Sequence, residues 1–482
     1  MNSIIIGVDI GTTKLCALAL DATCGAILAV ESATNTAHLP AETDGAEQDA
    51  SKIISSVFHL LSLLTARPEV QSGQIVALGV TGQMHGVVLV DKTGAICSPL
   101  TSWQDRRGDQ QYANSGHSYA KEVTARLRDD AGLLGCTPAT GYGAVTLLRL
   151  QQAGMLPANC TALTIHDALV LALCGRAVTD PTDAASWGIF DVAAGDRWVP
   201  SLAAAFPSLY SALPEVLPTG SQAGVLTAQV AVLTGLPAGL PVAVAIGDNQ
   251  ASFLGSVPVP QGTVLINLGT GGQMSVPTDQ YIFHAPLETR PFIGGSWLLV
   301  GASLCGGHAY SVLEGFIRQL GHDLFALAPG ELYETMNTLA AAAPADCQGL
   351  SAATQFAGSR LNPQQRGYIT GINENNLTPG NLIRAVINGM VDELVAYYRI
   401  AQDSGAHPTA LSGAGNAVRR NPVVRQELAH RFAMPLGIPP HTEEAAMGAA
   451  LVGGVAAGIF PNWAAAAQLL FHDCHSSIKD GE

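Results

Sequence analysis

The sequence predicts an α/β protein of two domains that repeat one arrangement of strands and helices. Three observations predict it. The chain has 482 residues, too many for one ordinary core, with 48% apolar and only 13% charged residues. Short apolar and β-branched runs alternate with longer segments of helical periodicity. A strand, Gly-Thr, strand pattern at 4-IIIGVDIGTTKLCALAL-20 also recurs at 264-VLINLGTGGQMSV-276. Gly11-Thr12 aligns there with Gly269-Thr270, and Asp9 with Asn267.

The first domain is expected over 1–256. It opens as a meander of IIIGVDIG, KLCALAL and 26-AILAV-30, punctuated by a turn at Asp21–Gly25. Residues 47–64 carry apolar positions at helical spacing, with Asp49 to Ser51 able to start the helix. An apolar strand over 74–80 then breaks into TGQMHG. The segment 255-GSVPVPQG-262 interrupts the pattern and marks the boundary. In the second domain, 257–460, the paired strands of the repeat lead on to a long amphipathic helix over 380–402 after Pro379. A strand over 408–416, a helix over 423–432 after Pro422 and a closing helix over 443–457 complete the order. The apolar run 445-AAMGAALVGGVAAGIF-460 is short for a membrane span and reads as a buried helix. Residues 461–482 read as a polar tail, whose His472, Asp473, Cys474 and His475 read as a solvated end more readily than as a metal site.

A formal charge of −15 argues against a nucleic-acid partner. The N-terminus lacks the basic flank and cleavage site of a signal peptide, and the nine cysteines form no C-x-x-C pair. Reduced thiols in a cytoplasmic protein are expected, with no membrane partner and a homodimer as an open expectation.

Several motifs carry chemistry. Gly11-Thr12-Thr13-Lys14 joins two strands, and its amides and hydroxyls suit phosphate oxygens. One such turn reads equally as an ordinary hairpin; two in corresponding places suggest two jaws on one phosphate chain. Asp9 interrupts a run otherwise fit for burial. A Mg²⁺ ligand explains it economically, and a buried ion pair or capped turn is the competing reading. No P-loop or protein-kinase motif is present, and 413-GAGNAV-418 lacks the third glycine of a dinucleotide fingerprint. Polar clusters at 81-TGQMHG-86, 101-TSWQDRR-107 and 247-GDNQ-250 offer hydroxyl partners and a Trp face. Taken singly, His85 reads as a structural histidine and the WQDRR run as a surface loop.

In combination these residues resemble the FGGY carbohydrate kinases, over nearly the whole chain from Ile4 to about Phe460, and are most similar to the sedoheptulokinase group. The resemblance implies two actin-like (ribonuclease-H-like) domains facing a central cleft, with sugar mainly on the first and ATP on the second. IGVDIGTTK resembles the first phosphate loop, implying Asp9 near Mg²⁺ and Thr12 and Thr13 near phosphates. GQMHG implies Met84 and His85 as sugar contacts, and WQDRR implies Trp103, Asp105 and Arg107, although Arg106 stands where the family usually has glycine. GDNQASFLG resembles the catalytic segment, making Asp248 the general base and Asn249 a sugar ligand. NLGTGGQ implies Gly269, Thr270 and Gly271 under the γ-phosphate. SGAGNAVRRN implies Gly413, Gly415 and Asn416 at the nucleotide, and 369–386 matches the C-terminal signature.

The segment 141-GYGAVT-146, with WQD and 302-ASLCGGHA-309, is more similar to heptulose kinases than to pentulose kinases. The implied reaction is ATP-dependent phosphorylation of sedoheptulose to sedoheptulose 7-phosphate. A xylulose, ribulose or polyol kinase is the alternative within the family, and a non-catalytic actin-like ATP-binding sugar sensor the alternative outside it.

Overall fold

The computed structural model of the protein describes residues 2–113, 115–359, 362 and 364–469; the expected His472–His475 cluster lies outside them. The first half builds on strands β1 (Ser3–Ile10), β2 (Lys14–Asp21), β3 (Ile27–Thr34), β4 (Gln74–Gly82), β5 (Gln222–Val225), β6 (Pro241–Ala243) and β7 (Ile246–Gly247). The sheet order is β5-β6-β4-β1-β2-β3, with β7 also pairing β4. The second half repeats it with β8 (Thr263–Leu268), β9 (Gly272–Thr278), β10 (Glu288–Pro291), β11 (Trp297–Ser303), β12 (Ala410–Ala414) and β13 (Leu436–Gly437), ordered β10-β11-β9-β8-β12-β13. In each sheet the opening hairpin is antiparallel, and the strand on its other side, β4 or β12, runs parallel. The repeat seen in the Gly-Thr turns is therefore a repeat of topology.

The alternation of β1 and β2 sorts their side chains between two cores. Ile4, Ile6, Val8 and Ile10 pack with Leu15, Ala17 and Ala19 against helix α1 (Ala50–Thr65). Asp49 caps that helix, its Oδ1 accepting from the Lys52 amide at 3.0 Å. The opposite face, with Ile5, Cys16, Leu18 and Leu20, joins a core that both halves share. Leu265, Leu298, Val300 and Ala414 enter it from the second sheet, together with α4 and α9 below.

The remaining helices needed here are α2 (Ile165–Cys174), α3 (Pro181–Ala185), α4 (Asp248–Ser256), α5 (Gly307–Phe325), α6 (Pro379–Asp403), α7 (Asn416–Arg420), α8 (Pro422–Phe432) and α9 (Glu444–Ala456). Helix α6 covers the outer face of the second sheet through Ile383, Ile387, Met390 and Leu394. Helix α9, the apolar run near the C-terminus, leaves its own half and lies against β1, β4 and α4. No helix among the described residues is long and apolar enough to cross a membrane. Where a polar tail is expected from residue 461, Trp463–Leu469 instead forms a helix packed on the first half, with Trp463 against Gly220.

The seating of α9 is backbone on backbone. A Cβ on Gly7 would stand 2.0 Å from the Ala446 carbonyl oxygen, and one on Gly79 would stand 1.8 Å from that of Ala449. One on Gly448 would meet the Ala251 oxygen of α4 at 1.9 Å. A methyl cannot enter without prising the helices apart, so Gly448→Ala should cost ~1–3 kcal/mol or more, as overpacking does. Gly315→Ala, on the open face of α5 with nothing within 4 Å, should instead be neutral or add ~0.5–1 kcal/mol. Equilibrium denaturation of the two variants checks the contrast.

Candidate functional site

Three neighbouring strands end at one edge of the first sheet. β1 pairs in parallel with β4, Asp9 opposite Thr81, and β4 with β7, Gly247 opposite Gly82. The carboxyl edge of parallel strands is where α/β sheets bind ligands. It carries Asp9 and the 11–13 turn, then Met84 and His85, then Asp248.

Each position is braced. The Gly11 amide donates to the Lys14 carbonyl at 2.9 Å, closing the turn, and Asn35 Nδ2 donates to the Gly11 oxygen at 3.2 Å. The amide of Gly247 donates to Thr182 Oγ1 at 2.8 Å. The Thr182 hydroxyl donates to Asp180 Oδ1 at 2.6 Å, and Thr219 donates to Asp180 Oδ2 at 2.6 Å. This buried chain fixes the strand end from which Asp248 opens α4. Behind it His166 Nε2 lies 2.7 Å from Asp183 Oδ2, both fully buried.

The acids at this edge are crowded. Burial, then the nearby Asp248 and Glu443 carboxylates, push Asp9 up to about 8, with Lys14 opposing. Lys14 Nζ is itself held by Glu443 Oε1 at 2.6 Å. Burial raises Asp248 above the ordinary carboxylate value, while His166 and Arg290 pull it back. Hard oxygen donors with too little positive charge nearby suit a divalent cation. Among the described residues no group of three or more His, Cys, Asp or Glu is placed to hold one. Asp9 and Asp248 are the carboxylates at this edge that could join a divalent cation carried by phosphates.

The other expected residues divide by environment. His85 adopts a left-handed backbone, φ 72°, and stacks on Tyr142 at 4.3 Å between ring centroids. Its Nδ1 lies 2.6 Å from the Ser186 carbonyl, so that nitrogen carries the proton. Met84 is buried, its sulfur 3.9 Å from Arg290 Nη1. Trp103 is 46% exposed, and its indole N–H donates to Thr12 Oγ1 at 2.9 Å, bridging the 101–107 loop and the 11–13 turn. Asp105 and Arg107 are both buried. Arg107 Nε donates to Asp105 Oδ2 at 2.8 Å and its Nη2 to Glu47 at 2.6 Å, so they shape the loop carrying Trp103. Asn249 spans the two halves, its Nδ2 donating to Gln273 at 3.0 Å and Ser275 at 3.3 Å on β9.

In the second half, the Gly269-Thr270-Gly271 turn is seated on α5. The Gly307 amide donates to the Gly269 oxygen at 2.8 Å and the His308 amide to the Thr270 oxygen at 3.0 Å. Gly415 has φ 84°, and a Cβ there would stand 2.5 Å from the Leu268 oxygen, so only glycine fits beside the turn. Gly413 lies within β12, where a Cβ would meet Leu436 at 2.9 Å. Its role in the described structure is packing. Gly269, Thr270 and Asn416 line a cavity of about 730 Å³ with Tyr310, Tyr333, Asn337 and Arg420. The two tyrosine rings stack at 5.7 Å, and the Tyr310 hydroxyl donates to Asn337 at 2.8 Å. The volume and the aromatic and amide lining suit a nucleoside.

Arg290, Glu288, Tyr310 and the Asp180–Thr182–Asp183 cluster are not legible as site residues in the motifs. The last left a trace, three polar residues in 180-DPTD-183 between apolar runs. The arginine and glutamate left none: they pair with each other, and the first-half residues they meet, Met84 and Tyr142, lie 206 and 146 residues away.

Comparison with known proteins shows the family. The models of the N-terminal and C-terminal domains of the FGGY family of carbohydrate kinases match residues 4–255 and 264–457. The sedoheptulokinase of Homo sapiens is 30% identical over 490 residues, 93% of this chain and 97% of that one. The xylulose kinase of Haemophilus influenzae is 25% identical, covering 79% of this chain and 76% of its own. Among solved structures, the xylulose kinase of Rhodospirillum rubrum superposes with a TM-score of 0.85 at 25% identity, over 96% of this chain and 92% of that one.

The crowding of Asp9 has a measurable consequence. Its folded value is about 8 against an ordinary 3.8. Between those values the folded protein keeps a proton that the unfolded chain has lost, so this group's contribution to stability falls as pH rises. Asp9→Asn removes that dependence. In ligand-free protein the variant's thermal midpoint should match wild type near pH 4 and exceed it by a margin widening toward pH 8. Calorimetric scans across that range check it; a constant or shrinking margin contradicts it.

Proposed function

This chain belongs to the FGGY family of carbohydrate kinases, and we propose from that premise which hydroxyl it phosphorylates and with which residues. As a member it is an ATP-dependent sugar kinase of two actin-like domains. Its acceptor is the primary hydroxyl of a ketose, and sedoheptulose, giving sedoheptulose 7-phosphate, is the acceptor proposed. The reading rests on Asp248, which stands on the ligand-binding edge beside Asp9 and the sugar loops.

Phosphoryl transfer asks for positioning and charge neutralisation more than covalent chemistry. Asp248 accepts the proton of the attacking hydroxyl, a role worth about 10²–10⁴-fold. Its burial raises its affinity for that proton, while His166 and Arg290 keep the carboxylate form accessible. The amides and hydroxyls of Thr12, Thr13, Gly269, Thr270 and Gly271 hold the phosphate chain from both sides. The adenosine end lies in the cavity beside Tyr310 and Asn416. Asp9 would hold Mg²⁺, which when bound offsets charge on the phosphates. Met84, His85 and Trp103 orient the sugar, Asp105 and Arg107 hold the Trp103 loop, and Asn249 couples that loop's half to β9. Cytoplasmic placement belongs to this reading, in keeping with nine cysteines that form no C-x-x-C pair.

Support for a heptulose comes from similarity to the sedoheptulokinases, and from Tyr142 of the GYGAVT segment standing at His85. A pentulose reading is favoured by the fit to the xylulose kinase structure. ATP-dependent phosphorylation over sedoheptulose, xylulose, ribulose and glycerol separates them, with the highest kcat/KM expected for sedoheptulose. A preference for a pentulose overturns the acceptor, and no turnover on any overturns the reaction. Asp248→Asn should keep nucleotide affinity and lose about 10²–10⁴-fold in kcat. Near-normal turnover in that variant would remove Asp248 from the role of base.

A further inference from the structure

We propose that a second cavity, between the two halves, receives the far end of the sugar chain, with Tyr142 and Glu288 at its mouth. The inference rests on the reading of Asp248 as the residue facing the reacting hydroxyl. From Asp248 the side chains lead away in a line. Arg290, which acts on Asp248 electrostatically, reaches Met84, and with His85, Tyr142 and Glu288 it lines a pocket of about 10 Å³. That is room for roughly one water molecule. It has no room for the outer carbons of a heptulose, which extend beyond the Met84, His85 and Trp103 contacts that a pentulose also makes.

The space lies on the far side of Tyr142 and Glu288. The Tyr142 hydroxyl donates to Glu288 Oε1 at 2.9 Å, one residue from each half. Both residues also line a cavity of about 760 Å³. Its walls come from 136–142 of the first half, and from β11, α6 and the strands Ser351–Ala353 and Tyr368–Thr370 of the second. This is the size of a small-molecule site.

Its chemistry selects the ligand. Glu393, Tyr368 and Gln365 bring carboxylate, hydroxyl and amide groups to the wall, while Glu288 at the mouth is shared between Tyr142 and Arg290, whose Nη2 donates to Glu288 Oε2 at 2.6 Å. Glu393 is half-buried and accepts from Ser303 Oγ at 2.9 Å, with Tyr397 and Gln355 also hydrogen-bonded to it; of about four lone-pair sites on the carboxylate, one is left for a ligand hydroxyl. Among the described lining residues none is Lys or Arg. A row of hydroxyls donating to carboxylates matches this wall. The ligand is the neutral hydroxylated chain of a ketose longer than the inner pocket can take, whose hydroxyls replace the Tyr142–Glu288 bond.

Ala396 lines the cavity on the exposed side of α6, where a larger residue is accommodated without entering the core. Isothermal titration calorimetry of sedoheptulose and xylulose on wild type, Ala396→Phe and Glu393→Gln tests the proposal. Ala396→Phe should raise the ratio of the sedoheptulose Kd to the xylulose Kd about ten-fold or more, and Glu393→Gln should move it in the same direction. Unchanged thermal midpoints show that the variants fold. Equal weakening of both sugars, an unchanged ratio, or no sedoheptulose binding by wild type overturns the cavity assignment. Binding with the expected ratio but without phosphorylation supports the cavity and counts instead against sedoheptulose as the acceptor of the proposed reaction.

Discussion

The close approach of α9 to the first sheet is the constraint on which the rest of the molecule depends. Glycines on β1, β4, α4 and α9 remove the side chains that would separate backbones, so a helix from the second half becomes part of the first half's core. Two consequences reach the site. Glu443, just before α9, is delivered to Lys14 and Asp9 at the strand edge. Asp248, on the first turn of α4, is fixed relative to α9 at the other end of the same contact. The carboxylates of the edge are therefore positioned by backbone packing, not by their mutual attraction, and this is how three acids are kept together at a cost.

That cost is electrostatic. Asp9, Asp248 and Glu443 gather where Lys14 is already paired and Arg290 already shared with Glu288. A folded protein tolerates such a cluster only where packing elsewhere offsets it, and functional edges are where it is commonly found. Burial and then neighbouring negative charge raise Asp9, and on the proposed function the same charge suits the edge to a cation-bound phosphate chain. Burial, charge and chemistry point one way here.

How much of this is legible in the sequence follows the range of each interaction. The Gly-Thr turns, the caps at Asp49 and Thr378 and the polar break at Gly247-Asp248 are local, and their residues announce them. The two sheets follow from the repeated hairpin. The burial of Arg107 does not follow: WQDRR reads as a surface loop until Glu47, sixty residues earlier, is brought against it. Gly413 and Gly415 look alike in SGAGN, yet the positive φ of Gly415 stands beside the turn while Gly413 makes room for Leu436. The helix over Trp463–Leu469 is hidden because its apolar face is small, and its seat lies on residues such as Gly25 and Gly220 near the other end of the chain.

The seating of α5 bears on how the phosphates are held. A helix N-terminus aimed at phosphate is the usual device of nucleotide-binding loops, its free amides serving as donors. Here the amides of Gly307 and His308 donate to the carbonyls of Gly269 and Thr270, so they are spent on shaping the turn. The donors left for a phosphate chain at that place are those of the turn itself and of its counterpart at 11–13. On the proposed function, two hairpin turns from separate sheets close on a phosphate from opposite sides, which one helix end cannot. The repeated topology, with α9 and Asn249 tying the halves together, is thus the physical requirement for a phosphate grip built from turns.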